Sequence, residues 1–179
     1  MIDHNLVADL CLCSTALRCV QTAHSVLSGM ERSEQAPIRI EPGLFECPHL
    51  NYKIIESFMT KKELTDNGFN LYQDYKPLIG KLTVPESLDD YFERSVQVMR
   101  GIIDRYAPRG GTILIVTHRS CVTLLAAMLN LKSIDDQLNY LNEIESHKRR
   151  EVNFLSMIIA EYDATNRSWS YLTDLPQTK

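Results

Sequence analysis

The stretch "RGGTILIVTHRS", which runs from Arg109 to Ser120, is the clearest guide to the fold. Two glycines precede a run of apolar, mostly β-branched residues, and the run stops abruptly at Thr117 and His118. Such a run predicts a strand that is buried on both faces, as in a parallel sheet. Ligands of parallel sheets bind beyond the carboxyl ends of the strands, so His118 follows the strand at a position where functional residues occur.

Helical and strand patterns alternate on both sides of this stretch. Apolar residues at steps of three and four predict a helix over Leu88–Tyr106 with Ser87 as its N-cap. The same reasoning predicts a helix over residues 15–30 capped by Ser14. The other predicted elements are strands at residues 6–13, 38–40, 154–160 and 169–172 and helices at 121–131 and 133–144, with short helical turns and loops over 46–85. This alternation predicts an α/β sandwich.

Composition narrows the class of protein. A chain of 179 residues with 44% hydrophobic and 23% charged residues is typical of one soluble globular domain. The net charge of -4 argues against nucleic acid as a partner. No run is long enough to span a membrane and the N-terminus is a poor signal peptide, so we expect a cytoplasmic protein with no membrane partner.

The cysteines favour neither a disulfide framework nor a metal site. They are odd in number, five in all, and no C-x-x-C pair occurs. Reduced thiols are therefore expected, and Cys121 is not favoured as a nucleophile because nothing in the sequence suggests a lowered thiol pKa.

Three polar residues follow three of the predicted strands. Arg18 lies one turn into the helix after the first strand, Glu46 follows the strand at 38–40, and His118 ends the quoted strand. A guanidinium suits phosphate oxygens, a carboxyl can deliver a proton to a leaving group, and an imidazole can donate to a developing oxyanion. Each also has a plainer interpretation: Arg18 could pair with a surface carboxylate, Glu46 could be solvated, and His118 could be a surface residue.

Three motifs carry a resemblance to a known family. In order and spacing, "STALRCVQTAH" (residues 14–24), "IRIEPGLFE" (38–46) and "TILIVTH" (112–118) resemble motifs of the histidine phosphatase superfamily. The chain most resembles the phosphatase domain of the suppressor-of-T-cell-receptor-signalling (UBASH) proteins and the ecdysteroid-phosphate phosphatases. The resemblance implies a phosphoglycerate mutase-like, three-layer α/β/α sandwich.

The resemblance also implies roles for individual residues. Arg18 matches the phosphate-binding arginine and His118 the histidine that steadies the transferring phosphoryl group. Glu46 matches the proton donor, although Glu41 lies in the same motif. Arg119 follows His118 where a small residue is commoner, so it would either add a substrate contact or crowd the pocket. These roles need no metal and no cofactor, because arginine and histidine supply the positive charge.

One family motif does not occur in the sequence. The superfamily carries its nucleophilic histidine in an Arg-His-Gly motif at the end of its first strand, and these 179 residues contain no such triplet. We therefore expect a single domain over residues 1–179 that lacks the family's first strand and helix, with neighbouring strands left unpaired or forced together. Covalent catalysis needs its nucleophile, so little or no phosphatase activity is expected from this chain.

The expected ligand is a phosphate monoester, either a phosphotyrosine protein or a small ester such as a steroid phosphate. The alternative is a non-catalytic module that binds phosphorylated ligands or partner proteins. Relatives of this branch imply a homodimer.

Overall fold

Three short parallel strands form the sheet around which the core is built. In the computed structural model, which describes residues 7–46, 58–130, 157–163, 165–166 and 168–171, they are β1 (Leu10–Cys13), β2 (Ile38–Ile40) and β3 (Ile113–Val116). The order is β2-β1-β3, with Cys11 opposite Ile38 and Leu10 opposite Ile113. The parallel sheet confirms the predicted α/β class.

Helices follow the strands, and their start points depend on local capping. The described helices are α1 (Leu17–Gly29), α2 (Lys61–Asp66), α3 (Leu88–Tyr106) and α4 (Arg119–Asn130). The prediction for α3 is confirmed, since Ser87 and Asp90 form a reciprocal capping box. The predicted cap of α1 is wrong: the helix begins after Ala16, which makes no side-chain cap, and Ser14 is bonded elsewhere. The predicted helix at 133–144 lies outside the described residues.

The two faces of the sheet pack against different helices. Because side chains alternate along a strand, Cys11 and Cys13 face α1, while Leu10 and Leu12 face α3. Leu125 of α4 lies in the same cluster as α3. The result is three layers, with α1 on one side of the sheet and α3 and α4 on the other.

The predicted burial of β3 on both faces is wrong for most of its length. Val116 is buried, whereas Ile113, Leu114 and Ile115 are only half-buried. The reason is position in the sheet: among the described strands, β3 pairs with β1 and with no strand on its other edge. An apolar run therefore predicted the strand correctly but not its place at the end of the described sheet.

A small antiparallel hairpin comes last in the described chain. It consists of β4 (Ala160–Asp163) and β5 (Ser168–Tyr171). The predicted strand at 154–160 is corrected, since 157–159 are not strand and 154–156 lie outside the described residues. Trp169 packs against the α3 side of the core. Across the described ranges, no helix is long and apolar enough to cross a membrane.

Candidate active site

The ends of the three parallel strands bring four polar residues together. Arg18 Nη2 donates to Glu46 Oε1 at 2.6 Å and to His118 Nδ1 at 2.8 Å. Ser14 Oγ lies 2.8 Å from His118 Nε2. Glu46 Oε2 is 3.7 Å from His118 Nδ1. The structure therefore gathers Arg18, Glu46 and His118, which the sequence placed at separate strand ends, into one cluster, which we call the carboxyl-end pocket.

His118 is held as a neutral imidazole in this pocket. It is 5% exposed, and the ring of Phe45 meets it edge-on at 5.0 Å. Burial, and then the charges of Arg18 and Arg94, lower the pKa of His118 to about 3. A guanidinium can only donate, so Nδ1 accepts from Arg18 and Nε2 keeps its proton and donates to Ser14. Both ring nitrogens are thus occupied within the protein.

Arg18 is the solvent-facing cation of the pocket. Its side chain is 56% exposed and that of its partner Glu46 is 38% exposed. Its Nη2 group bonds both Glu46 and His118, and a guanidinium carries five N–H donors, so further donors are available to an arriving anion. The plainer interpretation of Arg18, pairing with a carboxylate, is thus correct in part, but the carboxylate is the candidate proton donor itself.

A buried ion pair fixes the chain just before Glu46. Arg94 on α3 binds Glu86 through two hydrogen bonds, at 2.6 and 2.7 Å, and both side chains are buried. Its Nη1 group also donates to the carbonyl oxygens of Gly43 at 2.7 Å and Phe45 at 2.9 Å. Burial alone would lower the pKa of Arg94, but the hydrogen bonds and charge of Glu86 outweigh it and raise the pKa. This clamp orients the peptide that leads into Glu46.

The remaining carbonyl of this segment is also bound. Thr117, next to His118, donates its hydroxyl to the carbonyl oxygen of Leu44 at 2.6 Å. The segment that carries Glu46 is therefore tied directly to the segment that carries His118, which keeps the two candidate catalytic residues in register.

Glu41, the other glutamate of the motif, has a different position. Its side chain is fully buried, and its carboxylate accepts hydrogen bonds from Gly43 N, Tyr75 Oη, Leu78 N and Ile79 N. Four donors occupy both oxygens, so Glu41 holds the loop at 75–79 against the 3₁₀ turn Pro42–Leu44. Of the two glutamates, Glu46 is the one that reaches the pocket.

Arg119 is the first residue of α4, and its side chain is exposed. Its expected contact with a substrate stays a prediction. For metals, no group of three or more His, Cys, Asp or Glu able to hold an ion occurs among the residues that the structure describes.

Two residues of the site were missed by sequence reasoning. Ser14 was assigned to a helix cap, and its partner His118 is 104 residues away, so no local pattern reveals the bond. Arg94 lies on the buried face of α3, although charged residues ordinarily lie on the solvent-exposed face of a helix. The only available signal is that Arg94 falls in register with the apolar stripe, three residues after Tyr91 and four before Val98.

An arginine, a glutamate and a histidine at the carboxyl ends of a parallel sheet are the arrangement that the sequence resemblance implies. The chain belongs to the histidine phosphatase superfamily (branch 1), whose pattern it matches over residues 3–154. The resemblance seen in the three sequence motifs is thereby confirmed.

Individual relatives agree with this assignment. The chain is 32% identical to ubiquitin-associated and SH3 domain-containing protein B of Homo sapiens, covering 98% of this chain and 27% of that protein. It is 33% identical to the ecdysteroid-phosphate phosphatase of Bombyx mori, over 59% of this chain and 16% of the relative. The chain thus spans about a quarter or less of these relatives.

A solved structure supports the fold. The ecdysone phosphate phosphatase of the silkworm, in complex with tungstate, superposes with a TM-score of 0.64 at 24% identity. The match covers 96% of this chain and 64% of the other. The predicted phosphoglycerate mutase-like fold is thus confirmed.

Proposed function

We propose that the carboxyl-end pocket binds the phosphoryl group of a phosphate monoester, with Arg18 as the principal anion contact. The observation that carries the proposal is the placement of Arg18 between buried, neutral His118 and partly exposed Glu46. A planar, permanently charged guanidinium suits phosphate oxygens, and its exposed side chain is accessible to a ligand. Tungstate, bound in the silkworm relative, is a tetrahedral oxyanion like phosphate.

Glu46 and an incoming phosphate compete for the same cation. As a carboxylate, Glu46 holds Arg18 and repels the anion; as a carboxylic acid, it can instead give its proton to the ester oxygen that leaves. The ester can bind through the donors of Arg18 that Glu46 leaves unused, which keeps the Glu46 carboxyl beside the bound phosphoryl group. His118 and Ser14 form the buried wall of the site, and Arg119 is a further candidate contact at the start of α4.

Hydrolysis by this chain is proposed to be weak. The 179 residues contain no Arg-His-Gly, and both nitrogens of His118 are engaged by Arg18 and Ser14. The lone pair of Nδ1 accepts a hydrogen bond from Arg18 and Nε2 carries the proton, so His118 has no free lone pair with which to attack phosphorus. The proposal is therefore a histidine phosphatase-family domain that binds phosphate monoesters, whether small esters or phosphotyrosine proteins, with little turnover of its own. The alternative is a purely non-catalytic module for phosphorylated ligands. It is favoured by the same two observations, the missing Arg-His-Gly triplet and the engagement of both nitrogens of His118.

Calorimetry with tungstate and an assay with p-nitrophenyl phosphate test the proposal together. We expect saturable tungstate binding that is lost in Arg18→Ala, and hydrolysis close to the background rate. Robust turnover that disappears in His118→Ala would overturn the weak-turnover part. Tungstate binding that is unchanged in Arg18→Ala would overturn the pocket itself.

Location and assembly are part of the proposal. We place the protein in the cytoplasm as a homodimer, on the strength of its sequence and its family. Imaging of the tagged protein and sedimentation of the purified chain measure these two properties.

A further inference from the structure

A second cavity lies at the opposite end of the sheet. Its volume is about 410 Å³, and it is bordered by Leu10 and Ile113, the first residues of β1 and β3. The end of α3 and the segment 72–76 complete its wall. Parallel strands place their amino ends at one edge, so this amino-end cavity faces away from Arg18 and His118.

The wall of the amino-end cavity is cationic. Four basic residues line it, and two acidic residues, Asp9 and Asp74, oppose them. The four are Arg39, Lys76, Arg105 and Arg109. Two positive charges are thus in excess in a concave region of a chain whose net charge is -4. Such a concentration of one sign attracts counter-charged ligands.

These cations have no acidic partner in the described part of the chain. None of the four has a carboxylate oxygen within 4.0 Å among the residues that the structure describes. Asp9 is already engaged, since its Oδ2 accepts from Thr112 N at 2.9 Å and its Oδ1 is 3.6 Å from Arg32. The lining thus leaves its positive charge available.

The two half-buried arginines are held in place without carboxylates. The guanidinium of Arg39 lies 4.5 Å from the ring centre of Tyr72, and that of Arg105 lies 5.9 Å from Tyr75. Arg39 also donates to the carbonyl oxygen of Pro37 at 3.0 Å, and Arg105 to that of Lys76 at 2.8 Å. Stacking and one carbonyl bond for each arginine leave most of the five N–H donors of each guanidinium unused. These donors are therefore ordered before any ligand arrives.

We propose that the amino-end cavity binds a small organic polyanion, meaning a molecule with two or more phosphate or carboxylate groups. Ligand sites range from about 300 to 1,000 Å³, so the cavity has room for such a molecule. Several cations spread around the wall suit separated negative groups better than a single one. Arg39 and Arg105 are the ordered contacts, and exposed Lys76 and Arg109 add charge at the rim.

Amide NMR of the protein with pyrophosphate and, separately, with citrate tests this proposal. We expect shifts of the Gly110, Gly111 and Thr112 amides with at least one probe, weakening as salt is added. Shifts with pyrophosphate alone would identify a phosphate-bearing ligand, and shifts with citrate alone would identify a carboxylate-bearing one. Shifts with both probes would indicate that the cavity accepts a ligand of either kind. Arg105→Gln is expected to weaken binding about tenfold, as for a lost hydrogen bond to a charged group.

Matched variants separate this site from the carboxyl-end pocket. Arg100→Gln removes the same charge from an exposed position of α3 outside the cavity and should leave binding unchanged. Lys76→Gln changes an exposed residue and carries the test if Arg105→Gln does not fold. Shifts that persist in Arg18→Gln support the proposal. Absence of shifts at the three amides with both probes at millimolar concentration, or equal effects of Arg100→Gln and Lys76→Gln, would overturn it.

Discussion

The two ends of the sheet differ in the groups that contact their arginines. At the carboxyl end, Arg18 is bonded to Glu46 of the same chain. At the amino end, Arg39 and Arg105 are ordered by tyrosine rings, with no carboxylate against them among the described residues. An anion must therefore share its cation with an internal partner at the first end but not at the second. Anion binding at the carboxyl-end pocket is therefore coupled to Glu46, whereas anion binding in the amino-end cavity depends on charge alone.

The largest effect should come from breaking the clamp that builds the carboxyl end. Arg94→Ala leaves Glu86 buried without its cation, and losing one partner of a buried pair costs about 3–5 kcal/mol. Chemical denaturation measures the loss of unfolding free energy. Exposed Arg100→Ala on the same helix is the control, with an expected change within about 0.5 kcal/mol. Similar stability of the two variants would contradict the assigned role of Arg94.

Acid should weaken the fold through His118 at the carboxyl end. Its pKa falls from 6.5 to about 3 on folding, so below pH 6.5 the unfolded chain binds the extra proton and the folded chain does not. The contribution is complete above pH 6.5 and is lost as the pH falls towards 3, by at most about 1.4 kcal/mol per pH unit.

Denaturation at pH 7, 5.5 and 4.5 measures that slope, and the difference between the wild type and His118→Gln isolates the histidine from other groups. Identical slopes in both proteins would show that His118 is not held neutral by the fold.

Arg18→Gln should separate the two ends functionally. Loss of charged hydrogen bonds to the anion predicts tungstate binding weaker by roughly 10- to 100-fold at the carboxyl-end pocket, measured by calorimetry. Stability should change little, because the ion pair with Glu46 is more than a third exposed on both sides. Pyrophosphate shifts at the amino end should be unaffected. A loss of binding at both ends would mean that the two sites are not independent.

Glu46→Gln should have the smallest effect, and in the opposite direction. Removing the carboxylate that occupies Arg18 is expected to strengthen tungstate binding, by up to about fivefold as judged from exposed ion pairs of ~1 kcal/mol. Exposed Glu93→Gln on α3 is the matched control for the change in net charge. Weaker binding in Glu46→Gln than in Glu93→Gln would show that Glu46 helps to hold the anion instead of competing with it.

Local patterns were sufficient for much of the fold. The bounds of α3, its Ser87 cap and the strand Ile38–Ile40 follow from periodicity and capping chemistry, which act over a few residues. The half-buried state of β3 could not be predicted in this way, because the burial of a strand depends on which strands lie beside it and not on its own residues.

The same distinction holds for the sites. Polar residues after strands predicted where Arg18, Glu46 and His118 would meet, since parallel strands end at one edge. Ser14 was misassigned because its bond crosses 104 positions, and Arg94 was missed because its partners lie in two other segments. The cations of the amino-end cavity come from three separate places in the chain, namely β2, the segment 72–76 and the end of α3 with the turn after it, so no local motif predicts the cavity.

The Glu41 carboxylate gives the molecule a linkage between its two ends. Tyr75 lines the amino-end cavity and donates its hydroxyl to Glu41 Oε2 at 2.7 Å, while Glu41 Oε1 accepts from Gly43, upstream of Glu46. One buried carboxylate therefore orders both the loop that borders the cavity and the turn that precedes Glu46. A substitution at Glu41 would loosen both edges of the sheet at once, although neither edge shares a ligand contact with the other.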